Sequence, residues 1–250
     1  MFVNSMPRYE ILSADAVGVL DRGWRRIVSE IGIQFAKPEA VELFRKAGQQ
    51  VDGDVVKLDP EFVLEQVAKA PREFDVQARN PANNVHIGGD HMVFSGVYGC
   101  PFVREGEVRR DATLDDFRRL SMLAQSFPEL DSAGGVICEP NDAPLDSRHL
   151  LRALAATRLT DRVWSGEPSS QAAAEDCIRI AEIVHGGLEG DPVIFANVNV
   201  NSPLRYDVRM LEGLLAYAEA GQALIVTPFL LMGAMAPVTL AGALVEQNAE

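Results

Sequence analysis

The chain has 250 residues and a formal charge of −13, enough length for a large core and for one or two domains. That acidity argues against nucleic acid as a partner, since phosphates repel such a surface. Cys100, Cys138 and Cys177 form an odd set without CxxC spacing, which argues against a disulfide framework or a zinc site and for reduced thiols in a cytoplasm.

Met1 to Glu10 lacks the apolar stretch of a secretory signal. From Ser13 to Ile31, Val17, Leu20, Trp24, Ile27 and Val28 share one helical stripe. Pro38 opens a second helix at a position where its missing N–H costs nothing, and Gly48 ends it. Val51 to Val55 reads as a hairpin turning at Asp52-Gly53, and Asp59-Pro60 starts a third helix to Ala70. Phe74 to Ala78 and Val85 to Ile87 read as strands. This lead segment, residues 1–91, is α/β but irregular and shows no chemistry.

From Met92 the pattern becomes regular. A strand at 93–97 is followed by a hairpin, Phe102 to Arg109, that turns at Glu105-Gly106-Glu107. Thr113 caps a helix from Leu114 to Gln125, with Asp116 in the capping-box position. Strands at 134–138 and 162–165 alternate with helices at 146–157 and 171–185, the last capped by Ser169 and stopped by Gly186-Gly187. Val193 begins a strand that leads through Asn197 to Asn201, and a helix follows from Tyr206 to Ala220, with Gly221 at its C-cap. Ala223 to Thr227 is apolar on both faces, as strands covered on both sides are. A last helix starts at Val238.

Ala223 to Val245 carries no charge and is long enough to span a bilayer. Pro228 and Pro237 break it, however, and its ends lack the basic and aromatic flanks of a span. The soluble reading is therefore preferred. Strands near Phe94, Val136, Val163, Ile194 and Ile225, separated by helices and without a Gly-rich nucleotide loop, predict a (β/α)8 TIM-type barrel over residues 92–250, truncated after about five βα units. The last helix has no stop signal, and an uncovered strand at 223–227 predicts self-association of residues 1–250.

Each strand end meets a proline: Cys100-Pro101, Glu139-Pro140, Glu167-Pro168, Ser202-Pro203 and Thr227-Pro228. Proline forces its predecessor into extended geometry, so Glu139 and Glu167 are held at the barrel's catalytic face. Equally, the prolines merely end the strands and the glutamates are solvated. Asn197, Asn199 and Asn201 alternate with Val198 and Val200, which puts the amides on one face. Barrel interiors are filled mainly by branched apolar residues, so these amides suggest a polar pocket floor. The alternative is that they satisfy one another. Tyr98 and Phe229 follow their strands as aromatic walls or as core fillers.

Lys37, Lys46, Lys57 and Lys69 are the only lysines, so no barrel strand here carries a Schiff-base lysine. The histidines lack HxH and HExxH spacing, and neither a GxSxG elbow nor a P-loop occurs. The substrate-binding candidates are therefore Glu139, Glu167, Asn199, Asn201, Tyr98 and Phe229, with no catalytic residue assigned and no metal site. Carboxylates and aromatic faces suit a cationic small molecule.

Asn201-Ser202-Pro203-Leu204-Arg205-Tyr206-Asp207 and Ala236-Pro237-Val238-Thr239-Leu240-Ala241-Gly242-Ala243 resemble the trimethylamine methyltransferase family, as do Ser95-Gly96 and the Arg109 to Thr113 lead. The resemblance implies a (β/α)8 barrel that passes a methyl group from a methylated amine, such as trimethylamine or glycine betaine, to Co(I). The corrinoid (cobalamin-type) cofactor is carried by a separate partner protein and not bound directly, in methylamine and betaine metabolism that includes methanogenesis. The founding branch places a pyrrolysine on a later barrel strand, whereas other branches act on quaternary amines without it. On that reading residues 1–250 alone are inactive. A lyase or isomerase barrel using Glu139 or Glu167 as base, and a non-catalytic amine-binding module, are the alternatives.

Overall fold

The structure is a computed structural model, and it describes residues 2–250. Strand β1 is Phe2–Val3, helix α1 Ala14–Arg26, β2 Ile33–Phe35, α2 Pro38–Lys46, β3 Gln50–Asp52 and β4 Val55–Lys57. Then come α3 Pro60–Val67, β5 Glu73–Val76, β6 Val85–Gly88, β7 His91–Met92, β8 Phe102–Glu105 and β9 Val108–Asp111. The remainder is α4 Leu114–Ser126, β10 Ser132–Gly134, α5 Arg148–Leu159, β11 Val163–Trp164, α6 Gln171–His185 and β12 Phe195–Asn201. It ends with β13 Arg205–Tyr206, α7 Val208–Glu219, β14 Ala223–Phe229 and α8 Leu240–Ala249. The protein is mixed α/β, and none of its sheets closes into a barrel among the described residues.

Its chain forms two compact units drawn from non-contiguous segments. The first comprises residues 2–5, 72–197 and 213–225. Here Ser95 pairs in parallel with Ser132, β10 pairs in parallel with β11, and Ser165 pairs in parallel with Phe195. Strand positions thus neighbour one another in chain order, and α5 packs between α4 and α6. Local chemistry accounts for the helices. The Thr113 hydroxyl and the Asp116 carboxylate close a reciprocal capping box at α4. Ser170, one residue later than the expected Ser169, accepts from Ala173 N at the start of α6, which stops at Gly186 with φ 79°.

Period-two alternation sorts this sheet's faces. Ala133, Trp164, Ile194 and Ala196 are buried with Ala153, Ala174, Ala181 and Tyr217 from the helices. On the opposite face Val163 is buried against Val76, Ala78 and Val85 of the β5–β6 segment, with Phe195 and Ala223 packed on the cluster. Small alanines on the helices let them sit close to the strands.

Several expected elements differ. The strand predicted at 134–138 lies at 132–134, because Gly134 takes φ 77° and the register shifts there. The strand at 93–97 reduces to the Ser95 bridge. Helix α5 starts at Arg148, two residues after the expected Asp146.

The second unit comprises residues 6–71, 198–212 and 226–250. Strand β2 lies between β13, to which it is parallel, and β4, to which it is antiparallel, and β3 completes the β3–β4 hairpin with Gly53 at φ 62°. Phe35 stacks on Tyr206 at 5.2 Å and contacts Phe44 at 4.5 Å. The predicted single helix from Ser13 to Ile31 ends its α-helical part at Arg26 and finishes as a π-helical turn, Ile27–Ile31. Helix α8 packs on α1. No helix is long and apolar enough to cross a membrane among the described residues. Pro228 falls in a strand and Pro237 in the loop before α8, so the uncharged run at 223–245 is split between two elements.

Candidate functional site

In the first unit Glu139, in the segment after β10, and Glu167, in the segment after β11, meet one arginine. Arg152, on α5 and 8% exposed, donates from Nη1 to Glu139 Oε1 and Oε2 at 3.0 and 3.1 Å. Its Nη2 donates to Glu167 Oε2. Arg148, one turn earlier, lies 3.5 Å from Glu139 Oε2 and donates to the Ala143 carbonyl at 2.9 Å. Two guanidiniums and two carboxylates therefore balance in one cluster. Backbone bonds fix the glutamates: Glu139 N donates to the Cys100 carbonyl at 2.9 Å, and Ser169 N donates to Glu167 Oε1 at 3.1 Å. Glu167 N also points at Cys177 Sγ, 3.4 Å away.

The thiols beside this cluster are not activated nucleophiles. Burial pushes the Cys177 thiol up to about 11 and the Cys138 thiol up to about 11, so both stay protonated near neutral pH.

Sequence reasoning missed Arg152. A signal existed, because Ala153, Ala155 and Ala156 are buried around it and an arginine on the apolar stripe of a helix requires an internal partner. Helix position alone does not say which strand ends it reaches.

Tyr98 rests against Gly135, which lines a small cleft together with Ser165, Arg152 and Glu167: a Cβ at Gly135 would fall 2.5 Å from Tyr98 Cε1 and 2.9 Å from Cζ. Burial raises the Tyr98 phenol above its ordinary value, opposed by a hydrogen bond with Ser165, so the ring is neutral at physiological pH. Tyr98 forms part of the wall of a chamber of about 480 Å³, within the range of roughly 300–1,000 Å³ typical of small-molecule sites. Phe74, Val76, Val85 and Ile87 close one side, and Ser95, Ser132, Phe195 and Asn197 are on the other. No residue lining it is charged. Ser132 donates to the Val163 carbonyl at 3.1 Å and accepts from Gly134 N at 3.0 Å, so its hydroxyl is fixed. Neither Glu139 nor Glu167 lines the chamber.

In the second unit Asn199 and Asn201 alternate with Val198 and Val200, which are fully buried while the amides are half-buried. Asn201 Nδ2 donates to Asp207 Oδ2 at 2.8 Å, and Asp207 Oδ1 accepts from Met210 N at 2.9 Å in the first turn of α7. The Thr227 hydroxyl lies 3.3 Å from both the Asn199 amide oxygen and the Val198 carbonyl. These amides thus stitch strand ends together on the face predicted for them. Phe229, at the end of β14, is 51% exposed. Near them, Ser202 Oγ donates to Glu250 Oε2 at 2.9 Å and Leu204 N to Oε1 at 2.7 Å. No group of three or more His, Cys, Asp or Glu side chains is arranged to hold a metal ion among the described residues.

The family model described as trimethylamine methyltransferase (MTTB) matches residues 1–250. A glycine betaine methyltransferase of Desulfitobacterium hafniense (strain Y51) is 41% identical over 249 residues, covering 98% of this chain and 52% of that protein. A proline betaine:corrinoid methyltransferase of Eubacterium limosum is 24% identical over 262 residues, covering 100% of this chain and 53% of that protein. The trimethylamine methyltransferase MttB of Methanosarcina barkeri is 23% identical over 251 residues, covering 96% and 51%. The chain spans about half the length of these relatives.

Proposed function

Because the chain belongs to the trimethylamine methyltransferase family, we propose that the intact protein moves a methyl group from a quaternary methylated amine, glycine betaine foremost, to a corrinoid carried by a separate protein. The observation that carries this reading is the 41% identity to a glycine betaine methyltransferase across 98% of the chain, against 24% and 23% to the proline betaine and trimethylamine enzymes. The architecture proposed for the intact protein is a (β/α)8 barrel over residues 92 onward, preceded by the lead segment 1–91. Support comes from the parallel neighbours Ser95, Ser132, Val163 and Phe195 in chain order, with α4, α5 and α6 between them. A cytoplasmic setting fits the unpaired cysteines.

Chemistry asks little of the side chains. The C–N bond breaks with its electron pair remaining on nitrogen, so the amine departs neutral and needs no general acid. The corrinoid, as acceptor, supplies the electron pair that forms the new bond to the methyl carbon. The protein's task is to align that methyl and exclude water, an orientation effect worth up to about 7–11 kcal/mol in favourable cases. We assign amine binding to Tyr98 in the first unit, while Glu139 and Glu167, bonded to Arg152, position the segments that follow β10 and β11. Arg148 and Arg152 reduce the negative potential that the two glutamates present.

The test is a single-turnover assay of the intact protein with reduced corrinoid protein and glycine betaine, proline betaine or trimethylamine. Cobalt methylation fastest with glycine betaine is expected. No methylation with any of the three overturns the proposal.

A further inference from the structure

The uncharged chamber of the first unit bears directly on how an amine is recognised. Its volume of about 480 Å³ is ample for a trimethylammonium group, and its wall combines apolar side chains with three aromatic rings, Phe74, Tyr98 and Phe195. A lone carboxylate there would bind a cation but would itself be costly to desolvate. An aromatic face attracts a quaternary ammonium without that cost, and the attraction strengthens as water is removed. The carboxylates at the strand ends are meanwhile committed to Arg152 and do not line this space.

Resting on the methyl-transfer reading above, we infer that the methylated ammonium head group binds in this uncharged chamber against the Tyr98 ring, with Gly135 as the residue that positions the ring. The placement follows from contact. Tyr98 Cε1 occupies the space a Cβ at residue 135 would need, 2.5 Å from it, and Ser165 Cβ is 3.0 Å from the same point. Any larger residue must displace the phenol. The hydrogen bond with Ser165 anchors the ring's polar end. Phe195 and Asn197 contribute the aromatic and amide surface of the neighbouring strand. Glu139 and Glu167 are positioning residues here: through Arg152 they hold two strand ends, and they do not touch the amine.

The decisive comparison separates charge recognition from shape. Glycine betaine and its carbon isostere 3,3-dimethylbutanoate share a shape but differ in the positive charge, and calorimetry with the intact protein gives both affinities. Wild type should favour glycine betaine by roughly ten-fold or more. Tyr98→Leu and Gly135→Ala should collapse that preference toward unity, Tyr98→Phe should retain most of it, and Glu139→Gln should leave it within about two-fold. A merely structural role for Tyr98 would weaken both ligands equally and leave the preference unchanged. An unchanged preference in Tyr98→Leu, or its loss in Glu139→Gln, overturns this inference while leaving methyl transfer standing. Failure of wild type to bind glycine betaine or any other methylated ammonium compound overturns both.

Discussion

Strands β12 and β14 are each seven residues long and neighbours in the same sheet, yet they live in opposite environments. The polar-looking one, Phe195–Asn201, alternates half-buried and fully buried positions, with Ala196, Val198 and Val200 entirely inaccessible. Its apolar neighbour, Ala223–Phe229, is the last strand in the sheet order and leaves Ile225 48%, Val226 44% and Phe229 51% exposed. Apolar composition states what a strand would gain from cover, whereas alternation states which face is covered. Ala223 to Thr227, apolar on both faces and expected to be the uncovered strand of residues 1–250, presents an exposed apolar edge within those residues.

Charge introduced into each strand should break the comparison most sharply. Val198→Asp buries an unpaired carboxylate and should cost about 4 kcal/mol or more in denaturant unfolding, enough to abolish folding in a marginal protein. In residues 1–250 alone, Val226→Asp on the exposed strand should shift stability by no more than about 0.5 kcal/mol and should reduce self-association in sedimentation. Equal losses at the two positions would show that β14 is covered in solution.

Next in size is the Arg152 cluster. Arg152→Leu strands Glu139 and Glu167 without their shared partner and should destabilise by about 3 kcal/mol. Partial recovery in the Arg152→Leu/Glu167→Gln double variant would identify the unpaired carboxylate as the cause.

A smaller effect belongs to the α4 capping box. Arg110 holds the Asp116 carboxyl well below the usual carboxylate range, helped by Thr113. A depressed folded-state value contributes stability that is present above the unfolded value of about 3.9 and is lost as pH falls through the folded value. Asp116→Asn should therefore cost about 1–2 kcal/mol at pH 7, and its deficit should narrow steadily below about pH 4.

Much of this was legible from residues acting locally. Thr113 with Asp116, Asp59 with Pro60, and Gly186 mark helix ends because their partners lie within a turn. The asparagine alternation gave the two faces of β12 because period two is a backbone property. What stayed hidden depends on contacts across distant segments. Arg152 reads as an ordinary helical arginine until α5 brings it to the ends of two strands. The chamber needs the β5–β6 hairpin to meet strands some twenty to one hundred and fifty residues later, and nothing in Phe74 or Val85 announces that encounter. Gly135 reads as one more residue of a strand at 134–138 until Tyr98 is found resting on it. The candidate glutamates were placed at strand ends by their prolines, but their partner was not visible in the same stretch.

The most direct measurement is hydrogen exchange of the intact protein with and without saturating glycine betaine. Head-group binding in the uncharged chamber predicts increased protection at residues 132–136 and 195–197 and across the β5–β6 hairpin, with little change along Arg148–Leu159. Protection confined to Glu139, Glu167 and α5, with the chamber strands unaffected, would contradict it.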